Sequence, residues 1–99
     1  MKIRIISRHF SADKKLKAYI EKKAQKLTRY FDRITSLEVE LDLTHNGQIK
    51  DKIVEIRAKV PGKQLVYRDV RKRFETAFDG ALKGVKARLK RYKGVAQAH

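Results

Sequence analysis

The sequence predicts an α+β domain in the order β-α-β-β-β-α: a four-stranded sheet, strand order 1-2-3-4, with two parallel helices packed on one face. Three observations carry this reading. Apolar residues alternate at a period of two in three stretches, they recur every 100° in two longer ones, and turn dipeptides separate the strands that follow one another directly. The 99 residues leave room for a single domain, read here as residues 1–94 with a frayed tail over 95–99.

From Lys2 to Arg8, Ile3 and Ile5 share one face and Arg4 and Arg8 the other, the pattern of a half-buried strand. Ser11 is the expected N-cap of the first helix, with Asp13 in its first turn, where negative charge favours the helix dipole. The helical pattern continues to about Phe31, with Leu16, Tyr19, Ile20, Ala24, Leu27, Tyr30 and Phe31 on one arc that is expected to be buried. Alternation returns at Leu37, Val39, Leu41 and Leu43, interleaved with Glu38, Glu40 and Asp42, and runs into Asn46-Gly47, a strong hairpin signal. The returning strand turns Val54, Ile56, Ala58 and Val60 inward and Glu55, Arg57 and Lys59 outward. Pro61-Gly62 marks the next tight turn, before a short strand over Gln64 to Arg68 and a basic loop, Arg71-Lys72-Arg73. Phe74, Ala77, Phe78, Ala81, Leu82, Val85, Leu89 and Tyr92 then define the second helix.

A right-handed crossover makes the first two strands parallel, and two hairpins make the other neighbours antiparallel. Handedness then assigns Ala77, Gly80, Gly84 and Ala87 to the side of the second helix facing the first, opposite Ala24 and Thr28. Each mid-helix glycine costs about 1 kcal/mol against alanine, and close helix approach is the expected compensation. A phosphate loop would instead place its glycines before a helix.

Lys and Arg number 26 against 11 Asp and Glu, a net charge of +15, which points to a polyanionic partner. By segment the charge is +3 over residues 1–10, +5 over 11–33, −1 over 34–60 and +8 over 61–99, so it resides on the helices. Lys15, Lys22, Lys26 and Arg29 form one stripe, and Lys83, Lys86, Lys90 and Lys93 another. A single lysine stripe is commonly a solvated face, but two on one side of a sheet that is acidic to mixed on the other suggest a binding surface. Both stripes are expected on the outer shoulders of the helix pair, making a broad surface for the phosphates of a folded RNA, with most of the aromatics pointing inward.

Nothing in the sequence supports an enzyme or a cofactor. His9, His45 and His99 have no metal-ligand spacing, no serine sits in a nucleophile elbow, and Glu38, Glu40 and Asp42 are better read as one side of a cross-strand ion-pair face than as a cation site. Cysteine is absent, in keeping with a reducing cytoplasm. Neither an export signal nor a membrane span is visible, so no membrane partner is expected.

The stretch YIEKKAQKLTRYFDRI (Tyr19 to Ile34), the hairpin VEIRAKVPGK (Val54 to Lys63) and the closing FETAFDGALKGVKARLKRYKG (Phe74 to Gly94) together resemble the short form of the ribosome hibernation-promoting factors, the YfiA-like or ribosome-associated inhibitor family. The resemblance covers nearly the whole chain and rests on the order of elements, the Tyr-Phe-Asp-Arg close of the first helix and the basic end of the second. It implies a stress or stationary-phase protein that binds ribosomal RNA of the small subunit between head and body, in the messenger and transfer RNA channel, and reversibly stops translation. It implies phosphate contacts from Lys22, Lys26, Arg29 and Arg33 and from Lys83, Lys86, Lys90, Arg91 and Lys93. Lys15, Arg71, Lys72 and Arg73 are added by charge alone. The sequence ends at His99 without the C-terminal domain by which long forms pair two ribosomes, and Tyr67 to Arg73 is longer than in the commonest short forms, so the resemblance leaves ribosome dimerisation open; the free protein is expected to be a monomer. A general double-stranded RNA-binding module and a small structural ribosomal protein are the alternatives.

Overall fold

Alternation sets Ile3 and Ile5 against the core from the first strand, β1 (Lys2–Ser7), whose polar partners Arg4 and Arg8 turn to the opposite face. The chain then bends at His9, which takes a φ of 67°, and enters helix α1 (Lys14–Tyr30). The cap of α1 is Asp13, two residues beyond the expected Ser11. Its backbone is extended and its carboxylate accepts the Leu16 N–H at 2.8 Å, so one side chain supplies both the acceptor and the negative charge that a helix N-terminus favours. Leu16 is also the first buried residue of the helix.

The computed structural model describes residues 2–46 and 49–97, and the side chains of 2–44 and 51–92. Strands β2 (Ser36–Asn46) and β3 (Ile49–Val60) pair antiparallel, with Val39 opposite Ile56 and Leu41 opposite Val54; the Asn46-Gly47 turn lies outside the described residues. Pro61-Gly62 leads into β4 (Lys63–Arg71), and Gly62 adopts the positive φ, 86°, that a type II turn requires after proline. The sheet order is β1-β2-β3-β4, with β1 parallel to β2 and the rest antiparallel. Helix α2 (Phe74–Gln97) closes the fold and continues three residues past Gly94. Phe78, Val85 and Leu89 of α2 and Ile20, Ala24 and Leu27 of α1 are buried in one cluster with Leu37, Val39, Leu41, Val54 and Ile56, so both helices cover the same face of the sheet.

Three expectations are corrected. β4 runs to Arg71 and not to Arg68, which brings Asp69 onto the helix side two residues after Tyr67. α2 lies chiefly over β4 and β3, and its flank carrying Gly80 and Gly84 turns to β4, not to α1. A Cβ on Gly84 would clash with the nearest carbons of the Tyr67 ring, and one on Gly80 would overlap the Asp69 carboxylate. The glycines therefore seat large strand side chains against the helix backbone. Tyr30, expected on the buried arc, is 73% exposed. It lies roughly 80° of helix rotation from Ile20 in the last turn of α1. Tyr19, at the same edge of the arc, finds cover against Phe78 at 6.2 Å, and Phe31 takes the inward position as the C-cap.

The outer sheet face holds the expected cross-strand ion pairs, centred on Arg57. Its guanidinium reaches Glu38 at 3.0 Å and Glu40 at 3.2 Å and also pairs with Glu55. Glu40 and Glu55 sit directly opposite one another, an unfavourable like-charge pairing that Arg57 bridges. Arg4 joins Glu38 and Arg8 joins Glu40, both at 3.2 Å, and His9 Nδ1 lies 2.8 Å from Asp42. Partial burial pushes the Glu40 carboxyl up, but hydrogen bonds from Arg57 and Arg8 outweigh it and hold the carboxyl below its ordinary value.

Three outcomes follow from this packing and from the ion pairs. Gly84→Leu lowers the unfolding free energy by about 1 to 3 kcal/mol, the usual range for overpacking, as measured by denaturant titration. Gly84→Ala destabilises the wild-type background but becomes neutral or stabilising, by up to about 1 kcal/mol of helix propensity, once Tyr67→Ala has emptied the seat; indifference to Tyr67 would contradict the seat. For Glu40 the folded state has the lower pKa, so its contribution is present above the unfolded carboxylate pKa and is lost as pH falls through the folded value. The melting temperature of the wild type accordingly falls more steeply than that of Glu40→Gln between about pH 6 and about pH 3.

Candidate nucleic-acid interface

Helix periodicity distributes the cations of the helix face between the two flanks of α2. Between the helices lies a groove of about 430 Å³ lined by Tyr19, Lys22, Lys23, Lys26, Leu27, Tyr30, Leu82 and Lys86. Lys22 and Lys26 come from successive turns of α1, and Lys86 faces them from α2. A second hollow of about 380 Å³, lined by Lys26, Arg29 and Tyr30, adjoins it at the end of α1. On the other flank, Arg71, Lys83, Arg88 and Arg91 surround a groove of about 430 Å³ whose floor is Tyr67, Asp69, Gly80, Gly84 and Ala87.

This arrangement corrects the expected placement of the lysine stripes. Because the glycine flank of α2 turns to β4, Lys86 turns toward α1, and Lys22, Lys26 and Lys86 converge on a groove between the helices. Lys83 joins the β4 flank instead. Most aromatics point inward as expected; the exceptions are Tyr30 and, in part, Tyr67, which is 37% exposed. Lys15, at the start of α1, and Lys72 and Arg73, before α2, are exposed but line neither groove; Lys90 is exposed on α2, and Arg33 lies in the loop after α1, beside Tyr92 in a small hollow of about 40 Å³. The Lys93 side chain lies outside the described residues.

A polar bridge joins the two helices inside the central groove. The Tyr19 hydroxyl donates to Asp79, with its oxygen 2.8 and 2.9 Å from the two carboxylate oxygens, and Lys23 Nζ donates to Asp79 and to the Tyr19 hydroxyl oxygen at 2.8 Å each. The hydrogen bond to Asp79 leads the effects that raise the Lys23 pKa, so this lysine stays charged. It also lies 4.5 Å from the Tyr19 ring centroid. Across α2, Arg88 lies 5.6 Å from the Tyr67 ring centroid, and Arg71 pairs with Asp69 at 3.3 Å. Among the described residues, Lys22, Lys26, Arg29, Lys83, Lys86, Arg88, Lys90 and Arg91 make no ion pair with a carboxylate. Phosphate would therefore meet cations that no internal carboxylate holds.

Sequence reasoning did not single out Lys23, Arg88, Tyr30 or Tyr67. Arg88 follows Gly84 by one helical turn, a spacing that marks the same flank. Lys23 carries no such signal, because its partner Asp79 belongs to the other helix. The geometry offers cationic and aromatic recognition; among the described residues no group of three or more His, Asp or Glu could hold a metal ion, and no helix is long and apolar enough to cross a membrane.

The fold matches two solved structures over almost their whole length. A ribosomal subunit interface protein from Coxiella burnetii superposes with a TM-score of 0.83 at 19% identity, covering 95% of this chain and 99% of that one. The N-terminal domain of Protein Y from Thermus thermophilus gives 0.78 at 26% identity, covering 93% of this chain and 99% of that one. Comparison with curated protein sequences finds no match. A family model matches residues 3–97, nearly every residue of the β-α-β-β-β-α domain and both basic helices, and the chain therefore belongs to the sigma 54 modulation protein / S30EA ribosomal protein family.

Proposed function

We propose that this protein is a ribosome hibernation factor: it binds ribosomal RNA of the small subunit in the messenger and transfer RNA channel and reversibly inhibits translation in stress or stationary phase. It acts in the cytoplasm as a free monomer until it docks. Family membership supports the ribosome as partner. The observation that carries the reading is the segregation of charge. The outer sheet face neutralises its carboxylates internally through Arg4, Arg8 and Arg57, whereas on the helix face Lys22, Lys26, Lys83, Lys86, Arg88 and Arg91 have no carboxylate partner among the described residues.

In this reading Lys22, Lys26 and Lys86 hold phosphates in the central groove, with Arg29 at its end. Lys83 and Arg91 hold phosphates on the β4 flank, and Lys90 and Lys93 extend the contact along α2. Arg33 continues the basic surface beyond α1, and Lys15, Arg71, Lys72 and Arg73 extend it where the helices begin. Docking places protein where messenger and transfer RNA would lie, and no bond is made or broken. Release therefore needs only dissociation.

Binding to purified small subunits should weaken steeply with salt, with a log-log slope of about −3 or steeper, since each phosphate contact contributes about −0.7 to −0.9. Lys22→Glu with Lys26→Glu, or Lys86→Glu with Lys90→Glu, reduces affinity at least about tenfold. Lys59→Glu with Arg68→Glu makes the same charge change on the opposite face and leaves affinity within about threefold, because like changes far from the contact act only through the screened field. Loss of binding in the sheet-face pair alone would reverse the orientation. Ribosome occupancy of the tagged protein rises when growth stops; constant stoichiometry through growth would instead identify a structural ribosomal component.

A further inference from the structure

Tyr30 borders both hollows along α1, the central groove of about 430 Å³ and the adjoining hollow of about 380 Å³, a position it shares with Lys26. Its side chain therefore meets open space in both hollows and is 73% exposed. Tyr19, at the same edge of the arc, rests on Phe78 and hydrogen-bonds Asp79, whereas among the described residues Tyr30 has neither an aromatic partner nor a side-chain hydrogen bond. Cations surround the ring: Lys22, Lys23, Lys26 and Lys86 line one side, and Lys26 and Arg29 line the other. An exposed aromatic plane set among phosphate-binding cations is the arrangement by which proteins capture a single-stranded base. The ring stacks on the base, whose π-face is available only when it has left a duplex, while the cations hold the flanking backbone.

We infer that Tyr30 is a stacking platform for an unpaired RNA nucleobase, with Lys26 and Arg29 holding its flanking phosphates. The inference rests on the proposed RNA-binding function and adds to it a specific substrate class: the surface requires a single-stranded nucleotide and does not read an uninterrupted duplex. Stacking places no new charge on the RNA and releases no counterions. It therefore contributes affinity that does not depend on salt, unlike the lysine contacts beside it.

The test uses the full chain with three probes: purified small subunits, a single-stranded RNA of about twelve nucleotides, and a duplex of the same length, the lengths being on the scale of known single-strand site sizes. Tyr30→Ala weakens binding to the subunits and to the single strand by about fivefold to a hundredfold, the range of one base–aromatic stack, and leaves duplex binding unchanged. Tyr30→Phe restores the affinity. The slope of log K against log salt is the same for Tyr30→Ala and wild type, whereas Lys26→Glu makes it shallower. The sequence contains no tryptophan, so Tyr30→Trp adds a single indole reporter whose fluorescence is quenched by the single strand and not by the duplex. Wild-type binding to subunits with equal affinity for Tyr30→Ala overturns the platform and leaves the ribosome reading intact. Equal losses on single strand and duplex also overturn it. Absence of wild-type binding to the subunits overturns the ribosome reading itself.

Discussion

The contact between the Tyr67 ring and the backbone of Gly84 sets the rotation of α2 about its own axis. A helix that carries cations around much of its circumference presents a different surface for each angle at which it is seated. Here the two glycines admit Tyr67 and Asp69 on one flank, and that choice sends Asp79, Leu82 and Lys86 toward α1. The Tyr19–Lys23–Asp79 bridge and the convergence of Lys86 on Lys22 and Lys26 follow from it. So does the division of the cations into two grooves. Glycine in a helix interior lowers helix propensity, and the seat supplies the compensating packing.

Much of this was legible in the sequence, and the parts that were not share a cause. Element order, sheet order and the inward residues of β2 and β3 follow from local periodicity, which a single sequence records directly. The outer ion-pair face was equally legible, since Glu38, Glu40 and Arg57 alternate with those inward residues. The rotation of α2 was not, because a helical Gly-x-x-x-Gly flank is suited to any close neighbour, whether a second helix or a tyrosine rising from a strand. Ending β4 at Arg68 removed Asp69 from consideration and left the glycines without their true partner. Exposure of Tyr30 was hidden for a related reason: at the edge of an apolar arc, the presence of cover depends on what the other helix supplies. The cation positions could be read, but their grouping into grooves could not.

The two faces of the sheet solve different electrostatic problems. On the outer face carboxylates and guanidinium groups satisfy one another, with Arg57 reaching three acids, so the field of that face is largely cancelled at short range. Exposed ion pairs of this type contribute little to stability singly, and a network sharing one central arginine does better because one ordered side chain serves several partners. On the helix face the cations repel one another, which opposes compactness. The buried cluster beneath both helices must outweigh that repulsion, since there is no disulfide and among the described residues no buried side-chain polar atom lacks a partner.

A self-neutralised sheet beneath a cationic helix layer also makes the molecule an electric dipole, with its positive end on the helices. In the field near a polyanion such a body experiences torque as well as attraction, so it turns helix-first before any atomic contact forms. Orientation is ordinarily the slow part of specific association, because most collisions present the wrong patch. In the proposed binding mode the arginine clasp on the far face therefore influences the rate of encounter from the side turned away from the RNA. By removing competing charge there, it leaves a single attractive pole.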